Sequence, residues 1–408
     1  MTGKILIMNN RYDNLFKILN TALTGEVFEL DKPDFKLLTG LAFQQEVAPI
    51  FLEGAVKYAE FSPAPVAVKA ELISKSTSSV VTQTQNTAEF YSIYNKLLSA
   101  GLKPIVLKGL ICRKAYGRLE NHRASGDEDI YVPEHDFSLC LRVLNENGYT
   151  ADNEGDFSLK YLKRIQTVSF HNRRNHLKIE VHLNLFGTQN SFRTAMNRVF
   201  DKALKNPYEI NYDGNRLYTL DPTNHYIFLF LHYLKHFMTT GAGIRHIMDL
   251  AVFGNKYKKE IDFSSAEKVF SEFIGGAFYA DTVELMKLLG GEENTPSKQL
   301  DPSTLCEDLI NGGAFGLDDK EITYASTFIF SKTGGSRFGL LRSVFPSYDL
   351  MSAMHPELYD KPWKLPSLYC KRIVRYVGHK RDPELERDAV KKAKERIKLI
   401  TDYDLKKK

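Results

Sequence analysis

The feature that most constrains the fold is a strand–turn–helix–strand pattern about a quarter of the way along the 408-residue chain. Residues 105–107 are β-favouring and follow a proline, so they predict a short buried strand. Lys108 and Gly109 then form a turn, and residues 110–116 are expected to begin a helix. After a polar loop, residues 127–132 (Asp-Glu-Asp-Ile-Tyr-Val) resume strand character. The pattern predicts a compact α/β unit.

Two carboxylates at the start of the second strand are the first candidates for chemistry. Side chains at i and i+2 of a strand share a face, so Asp127 and Asp129 converge while Glu128 points the other way. Adjacent carboxylates repel unless a cation neutralises them, and hard oxygen ligands suit Mg²⁺. Because Asp-x-Asp is common in loops and turns, salt bridges with local arginines are the alternative.

The turn between the first strand and its helix predicts a phosphate site. A helix N-terminus points free N–H groups and a positive dipole end at whatever lies in front of it, and Lys108 adds a point charge beside Gly109. Arg123, just ahead of the Asp pair, is able to neutralise phosphate charge bidentately. An ion pair between Arg123 and Glu120 or Glu128 is an equal alternative.

A third acid lies on the alternating stretch 176–185. Its apolar face carries Ile179, Val181, Leu183 and Leu185, and its polar face carries Lys178, Glu180, His182 and Asn184. A glutamate in mid-strand is costly in a packed core but sensible on a sheet face that lines a cleft. Residues 166–171 predict a preceding strand, and the resulting hairpin would place Glu180 beside the Asp strand.

These residues resemble the DNA polymerase beta-like nucleotidyltransferase superfamily and, within it, the bacterial group of uncharacterised nucleotidyltransferases. The pattern of that group is matched by Lys108-Gly109, by Arg123-Ala-Ser-Gly-Asp127-Glu-Asp129, and by Glu180-Val-His182. The resemblance extends from the N-terminal helices to about residue 375. Gly-Ser or Gly-Gly is more frequent at the turn in the superfamily, so triphosphate recognition is expected to differ in detail here.

The resemblance implies an enzyme that moves a nucleoside monophosphate from an NTP, such as ATP, to an acceptor hydroxyl and releases pyrophosphate. The resemblance does not decide whether the acceptor is a small molecule, a protein side chain or an RNA end. The resemblance implies two Mg²⁺ or Mn²⁺ ions bound by the catalytic residues Asp127, Asp129 and Glu180. It implies nucleotide binding by Lys108, Gly109, Arg123 and His182. A structural imidazole is the alternative for His182.

Two non-enzymatic hypotheses compete with this interpretation. The first is a nucleotide-binding or partner-binding module that kept the fold but lost catalysis; the presence of all three acids disfavours it. The second is a nucleic-acid-binding component, such as the partner of a toxin. Residues 371–408 hold fourteen Lys or Arg against seven Asp or Glu, whereas the whole chain has a net charge of +5. The remainder is therefore close to neutral, which disfavours a large phosphate-tracking surface.

The expected fold class is α+β, with a small mixed-sheet nucleotidyltransferase core between N-terminal and C-terminal helical regions. The expected divisions are a helical region at 1–100, the α/β core at 101–220, a helical domain at 221–330 and a helical extension with a basic tail at 331–408. The four cysteines are far apart without metal-ligand spacing, and no membrane segment is predicted, so a cytoplasmic protein is expected.

Three details of the helical regions are also predicted. Residues 35–56 and residues 264–289 each have helical periodicity throughout. His232 and His236 have i, i+4 spacing that is able to bind a metal, but without an obvious third ligand helix packing is favoured. Arg245 and Asp249 repeat this spacing and are expected to form an intrahelical ion pair.

Overall fold

The computed structural model describes residues 10–152, 165–188, 191–238, 241–292, 300–312, 361–378 and 398–405, with isolated residues at 157, 162–163, 348, 351, 355 and 358. Most of the expected C-terminal extension with its basic tail, at 331–408, lies outside the described residues. The α+β prediction is confirmed, because a mixed sheet lies between helical segments that precede and follow it along the chain.

The helices and strands are numbered here in chain order. The helices are α1 (Asn10–Thr24), α2 (Phe35–Gln44), α3 (Ala48–Ala55), α4 (Val66–Ser99), α5 (Gly109–Ala115), α6 (Phe137–Glu146), α7 (Ser191–Arg198), α8 (Asp201–Lys205), α9 (Pro222–Met238), α10 (Ile244–Lys256), α11 (Phe263–Phe273), α12 (Gly276–Lys287), α13 (Pro302–Gly312) and α14 (Leu365–Gly378). The strands are β1 (Ile105–Val106), β2 (Glu128–Tyr131), β3 (Tyr149–Ala151), β4 (Thr167–Asn172), β5 (Lys178–His182), β6 (Tyr208–Tyr212) and β7 (Asn215–Thr219).

The seven strands form a single sheet in the order β3-β4-β5-β2-β1-β7-β6. Strand β2 is antiparallel to β1 and parallel to β5, and β1 is parallel to β7. The predicted β4–β5 hairpin is confirmed, and its second strand pairs directly with the Asp strand. A further hairpin joins β6 to β7 through Asp213 and Gly214, both with positive φ, the conformation that a tight Asp-Gly turn requires.

The two faces of β2 have different neighbours. Glu128 points toward α5, where its Oε1 lies 2.5 Å from Arg113 Nη2, and each of these side chains is 1% exposed. Its Oε2 accepts a hydrogen bond of 2.9 Å from the Leu110 N–H. A Cβ atom on Gly109 would lie 2.2 Å from Glu128 Oε2, so glycine lets α5 approach this carboxylate. Asp129 lies on the opposite face of β2.

The prediction of one continuous helix over 35–56 is wrong, because the chain turns between α2 and α3. Glu46 adopts a φ of +54°, which a helix does not accommodate. The preceding residue, Gln45, is fully buried and donates to the carbonyls of Leu309 and Ile310 on α13. Its Oε1 accepts a hydrogen bond from Ile244 N, at the start of α10. The turn therefore joins the N-terminal helices to the later ones.

The prediction of one helix over 264–289 is also wrong, because α11 and α12 are separate. The break at Gly275 lies against the C-terminal segment: a Cβ atom there would be 2.8 Å from the Tyr403 carbonyl oxygen. Tyr403 in turn donates a hydrogen bond of 2.7 Å to Asp281. Within the described part of the chain, no helix is long and apolar enough to cross a membrane.

We expect Glu128→Gln to lower the free energy of unfolding by about 3–5 kcal/mol, because it leaves the buried Arg113 guanidinium without its counter-charge. Glu71→Gln is the matched control, since Glu71 pairs with Lys75 at 2.6 Å while both side chains are more than half exposed. Its cost should stay below about 1 kcal/mol. Urea denaturation measures both, and equal losses would contradict the assignment.

Candidate active site

Asp129 lies at the centre of the candidate site, on the face of β2 opposite Glu128. Its side chain is 2% exposed. One oxygen, Oδ1, lies 2.7 Å from His182 Nε2. The other, Oδ2, is buried and lies 3.3 Å from Lys108 Nζ without forming a satisfactory hydrogen bond. Burial alone would raise the pKa of Asp129, but the Lys108 charge and the His182 hydrogen bond outweigh it and lower that pKa.

Glu180 is placed beside Asp129 by strand pairing. The two residues are direct partners in the parallel β2–β5 register, so their side chains share a face of the sheet. Ligand atoms of Asp129, Glu180 and His182 all lie within 4.8 Å of one another. Glu180 is half-buried and accepts a hydrogen bond of 3.4 Å from Ser169 Oγ. The structure therefore brings these three predicted residues together.

Asp127 lies just before β2 and outside that 4.8 Å group, but it is electrostatically part of the site. Burial raises the pKa of Asp127 to about 6, and the charge of Asp129 acts in the same direction. The Lys108 charge opposes the shift, and the charge of Glu180 adds to it. A carboxyl group with such neighbours gains strongly from an added cation.

The donor set fits a hard divalent cation. The carboxylates of Asp127, Asp129 and Glu180 offer the oxygen ligands that Mg²⁺ prefers, and the buried Asp129 Oδ2 lacks a hydrogen bond in their midst. His182 is already engaged with Asp129 Oδ1, an arrangement that orients the carboxylate. Nucleotide contact by His182 stays a prediction.

The expectation of free N–H groups at the start of α5 is wrong for Leu110, because Glu128 occupies that N–H. Glycine at position 109 is explained by this carboxylate, and phosphate binding there stays a prediction. Lys108 does face the site. Burial lowers its pKa, but the charges of Asp129 and Asp127 outweigh burial and raise it, so the ammonium stays charged.

Arg123 pairs with neither Glu120 nor Glu128, the two carboxylates that the sequence suggested. Its Nε donates to Asp249 Oδ1 at 3.0 Å and its Nη2 to Oδ2 at 2.5 Å, with the guanidinium buried. Glu120 and Glu128 pair instead with Lys114 and Arg113. The predicted Arg245–Asp249 pair is also wrong.

Asp249 pairs with Arg123, and Arg245 pairs with another carboxylate, because α10 packs against the core. Arg245 pairs with Glu46 at the α2–α3 turn, and Tyr116 Oη donates to Asp249 Oδ1 at 2.9 Å. These bonds fix α10 beside the strands that carry the candidate site. Whether Arg123 also contacts the triphosphate stays a prediction.

Sequence reasoning missed Lys235, on α9. Burial is the main cause that lowers the pKa of Lys235 to about 8, and the charges of Lys108 and Arg193 act the same way. The carboxylates of Asp129 and Glu180 oppose that shift, which places Lys235 within electrostatic range of the site. A lysine in an otherwise apolar helix was the available signal, because lysine is rarely buried without a partner or a function.

A small cavity of about 30 Å³ adjoins the site. Its lining residues are Lys108, Arg123, Leu229, His232, Arg245, His246 and Asp249. The cavity therefore extends from the catalytic turn to the facing helices α9 and α10. It is large enough for about one water molecule or ion.

A family model described as uncharacterised nucleotidyltransferase matches residues 31–279. The chain belongs to this family. The match includes the strands that carry Asp129 and Glu180, the Lys108 turn, and the helices α9 and α10. Neither the curated proteins nor the solved structures gave a match. Family membership supports nucleotidyl transfer as the general chemistry, without naming the substrate.

We expect Asp127→Asn to raise the free energy of unfolding by about 1–2 kcal/mol at pH 7 in metal-free buffer. Folding raises the pKa of Asp127 from 3.8 to about 6, so the ionised form destabilises the folded state at neutral pH. The advantage of Asn should shrink as the pH falls from 6 toward 3.8, because wild-type Asp127 then becomes protonated. Urea denaturation across this range measures it.

Asp136→Asn serves as the control, since Asp136 lies in the short helical turn after β2 and outside the site. It should show no comparable pH-dependent gain. A gain for Asp127→Asn that did not change with pH would contradict the electrostatic explanation.

Proposed function

We propose that this protein is a metal-dependent nucleotidyltransferase of the polymerase beta-like type. It would transfer a nucleoside monophosphate from an NTP to an acceptor hydroxyl, with pyrophosphate as the second product. The observation that carries the proposal is the pairing of Asp129 with Glu180 across β2 and β5, beside Lys108. Membership in a nucleotidyltransferase family supports it.

In this proposal, Asp127, Asp129 and Glu180 hold two divalent cations, Mg²⁺ or Mn²⁺. When bound, such ions polarise the α-phosphate and stabilise the attacking and leaving oxygens. Glu180 is the most accessible acid of the 4.8 Å group, so it is suited to accept the proton of the acceptor hydroxyl. His182 keeps Asp129 oriented through the Nε2 contact.

Lys108 and Lys235 are the proposed cations for the triphosphate. Both act electrostatically on the carboxylates, and Lys108 already lies 3.3 Å from Asp129. Cations placed there stabilise the charge that develops on the pyrophosphate leaving group. Arg123 takes part indirectly, by anchoring Asp249 of α10 beside the catalytic turn.

The acceptor pocket is proposed to lie between the α/β core at 101–220 and the helical region at 221–330. The buried bonds of Asp249 with Arg123 and Tyr116 hold these parts together. An acceptor pocket enclosed between these two parts favours a small-molecule hydroxyl or a protein hydroxyl as the acceptor over a long RNA.

We expect an NTP at a hundred times its dissociation constant to stabilise the folded protein by about 2.7 kcal/mol, and only with Mg²⁺ present. Each of the four NTPs is tested by thermal unfolding with and without Mg²⁺. The double variant Asp127→Asn/Asp129→Asn should lose the Mg²⁺-dependent shift, whereas Asp136→Asn should keep it. Equal shifts in wild type and the double variant would place nucleotide binding elsewhere.

We expect Asp129→Asn and Glu180→Gln to abolish transfer while the fold stays intact. Reaction with NTP labelled at the α-phosphate measures it, by incorporation into candidate acceptors and by pyrophosphate release. Circular dichroism checks the fold. Full activity in Asp129→Asn would refute the catalytic assignment, and Mg²⁺-dependent NTP binding without transfer to any acceptor in wild type would favour a non-catalytic nucleotide-binding module.

A further inference from the structure

Three histidines from two helices converge beside the candidate active site. His232 and His236 lie one turn apart on α9, and His246 lies in the first turn of α10. Ring nitrogens of all three lie within 4.8 Å of one another. His246 is the third ligand that the sequence analysis did not find, because ligands on two helices joined by a chain reversal have no fixed spacing.

The reversal that brings His246 to the pair is built around Gly241. Its N–H donates a hydrogen bond of 2.8 Å to the His236 carbonyl, at a φ of +102° that favours glycine. The next helix then begins at Ile244, so His246 faces back toward α9. The three ring centroids are 4.5 to 6.0 Å apart.

The separation of the two α9 histidines fits a metal centre. His232 Nε2 and His236 Nε2 are 3.2 Å apart. Two imidazole nitrogens bound to one tetrahedral Zn²⁺ at 2.0–2.1 Å would be about 3.4 Å apart, nearly the same separation. The Nδ1 atom of His246 lies 3.4 Å from both the backbone N and O of Gly243, which orients the ring.

The positive charges around the cluster are partly neutralised. Lys108, Lys235 and Arg245 act on the histidines as positive neighbours, but the three cations that line the adjoining cavity each have a carboxylate partner, which offsets part of their charge. The pairs are Lys108 with Asp129, Arg123 with Asp249, and Arg245 with Glu46. The cavity itself is lined by His232 and His246, and its volume of about 30 Å³ leaves room for one small ligand.

We propose that His232, His236 and His246 bind a Zn²⁺-class transition metal, with a fourth position that opens into this cavity. Three protein ligands and an open position are the arrangement of zinc sites that bind water or substrate. Because Lys108 and Arg245 line the cavity, an anionic fourth ligand such as hydroxide or a phosphate oxygen is favoured. This nitrogen site differs in ligand chemistry from the oxygen-rich Asp129 site, and it does not depend on the proposed transfer activity.

Zinc titration of the metal-stripped, full-length protein against a chromophoric chelator tests the proposal. We expect one tightly bound equivalent in wild type and in Glu180→Gln, which removes a ligand of the oxygen site while leaving the Lys108–Asp129 pair in place. In His236→Gln and His246→Gln, the affinity should fall by more than the roughly 10–100-fold that loss of an outer-shell partner costs. His225→Gln is the matched control, because His225 is buried on the same helix, bonded to Thr219, and outside the cluster.

Co²⁺ absorption provides a second measurement that needs no histidine variant to fold. Wild type and Glu180→Gln should both show the strong visible bands of tetrahedral Co²⁺. Absence of these bands in either protein, absence of a bound Zn²⁺ equivalent in wild type, or unchanged Zn²⁺ affinity in a folded His236→Gln would overturn the proposal and leave the cluster as hydrogen-bonded helix packing.

Discussion

The structure depends on the cost of placing carboxylates side by side in a nearly dry environment. Asp129 is almost fully buried, Glu180 is its direct strand partner, and Asp127 lies close enough for its pKa to rise. Three ionised carboxylates this close together destabilise the fold unless cations offset their repulsion, because like charges at low dielectric repel strongly. Lys108 and the His182 contact offset part of this cost. The remaining cost is the physical basis of the proposed divalent-metal site.

The helices around the sheet hold the candidate site in shape and add charged residues to it. Helix α10 is fixed to the core by the buried Arg123–Asp249 pair, and α9 brings Lys235 toward the carboxylates. The Gln45 side chain ties the N-terminal helices to α10 and α13. Residues from three widely separated parts of the chain therefore set the shape of one cleft. This explains why the family match extends well beyond the α/β core.

Local patterns predicted the sheet well and the contacts between helices poorly. The alternation around Glu180 and the i, i+2 spacing of Asp127 and Asp129 are properties of single strands, and they predicted the hairpin and the position of Glu180 beside Asp129. The partners of Arg123 and Arg245 depend on how α10 packs, which no local spacing encodes. The same limit hid His246, whereas Lys235 on α9 carried a local signal that was not used. The break at Glu46 was missed because periodicity continues through it, while the backbone conformation does not.

Adjacent residues of β2 face opposite sides of the sheet, so substitutions at them are expected to affect different properties of the protein. Glu128 stabilises the packing of α5, whereas Asp129 faces the candidate site, where Lys108 and His182 stabilise its charge. A library of variants scored for both cellular abundance and activity should therefore separate the two positions. Substitutions at 128 would mainly deplete the protein itself, whereas Asp129→Asn, which keeps the shape of the side chain, would mainly remove the proposed activity. Along this strand, the side chains of one face stabilise the fold, and the side chains of the other face carry the proposed chemistry.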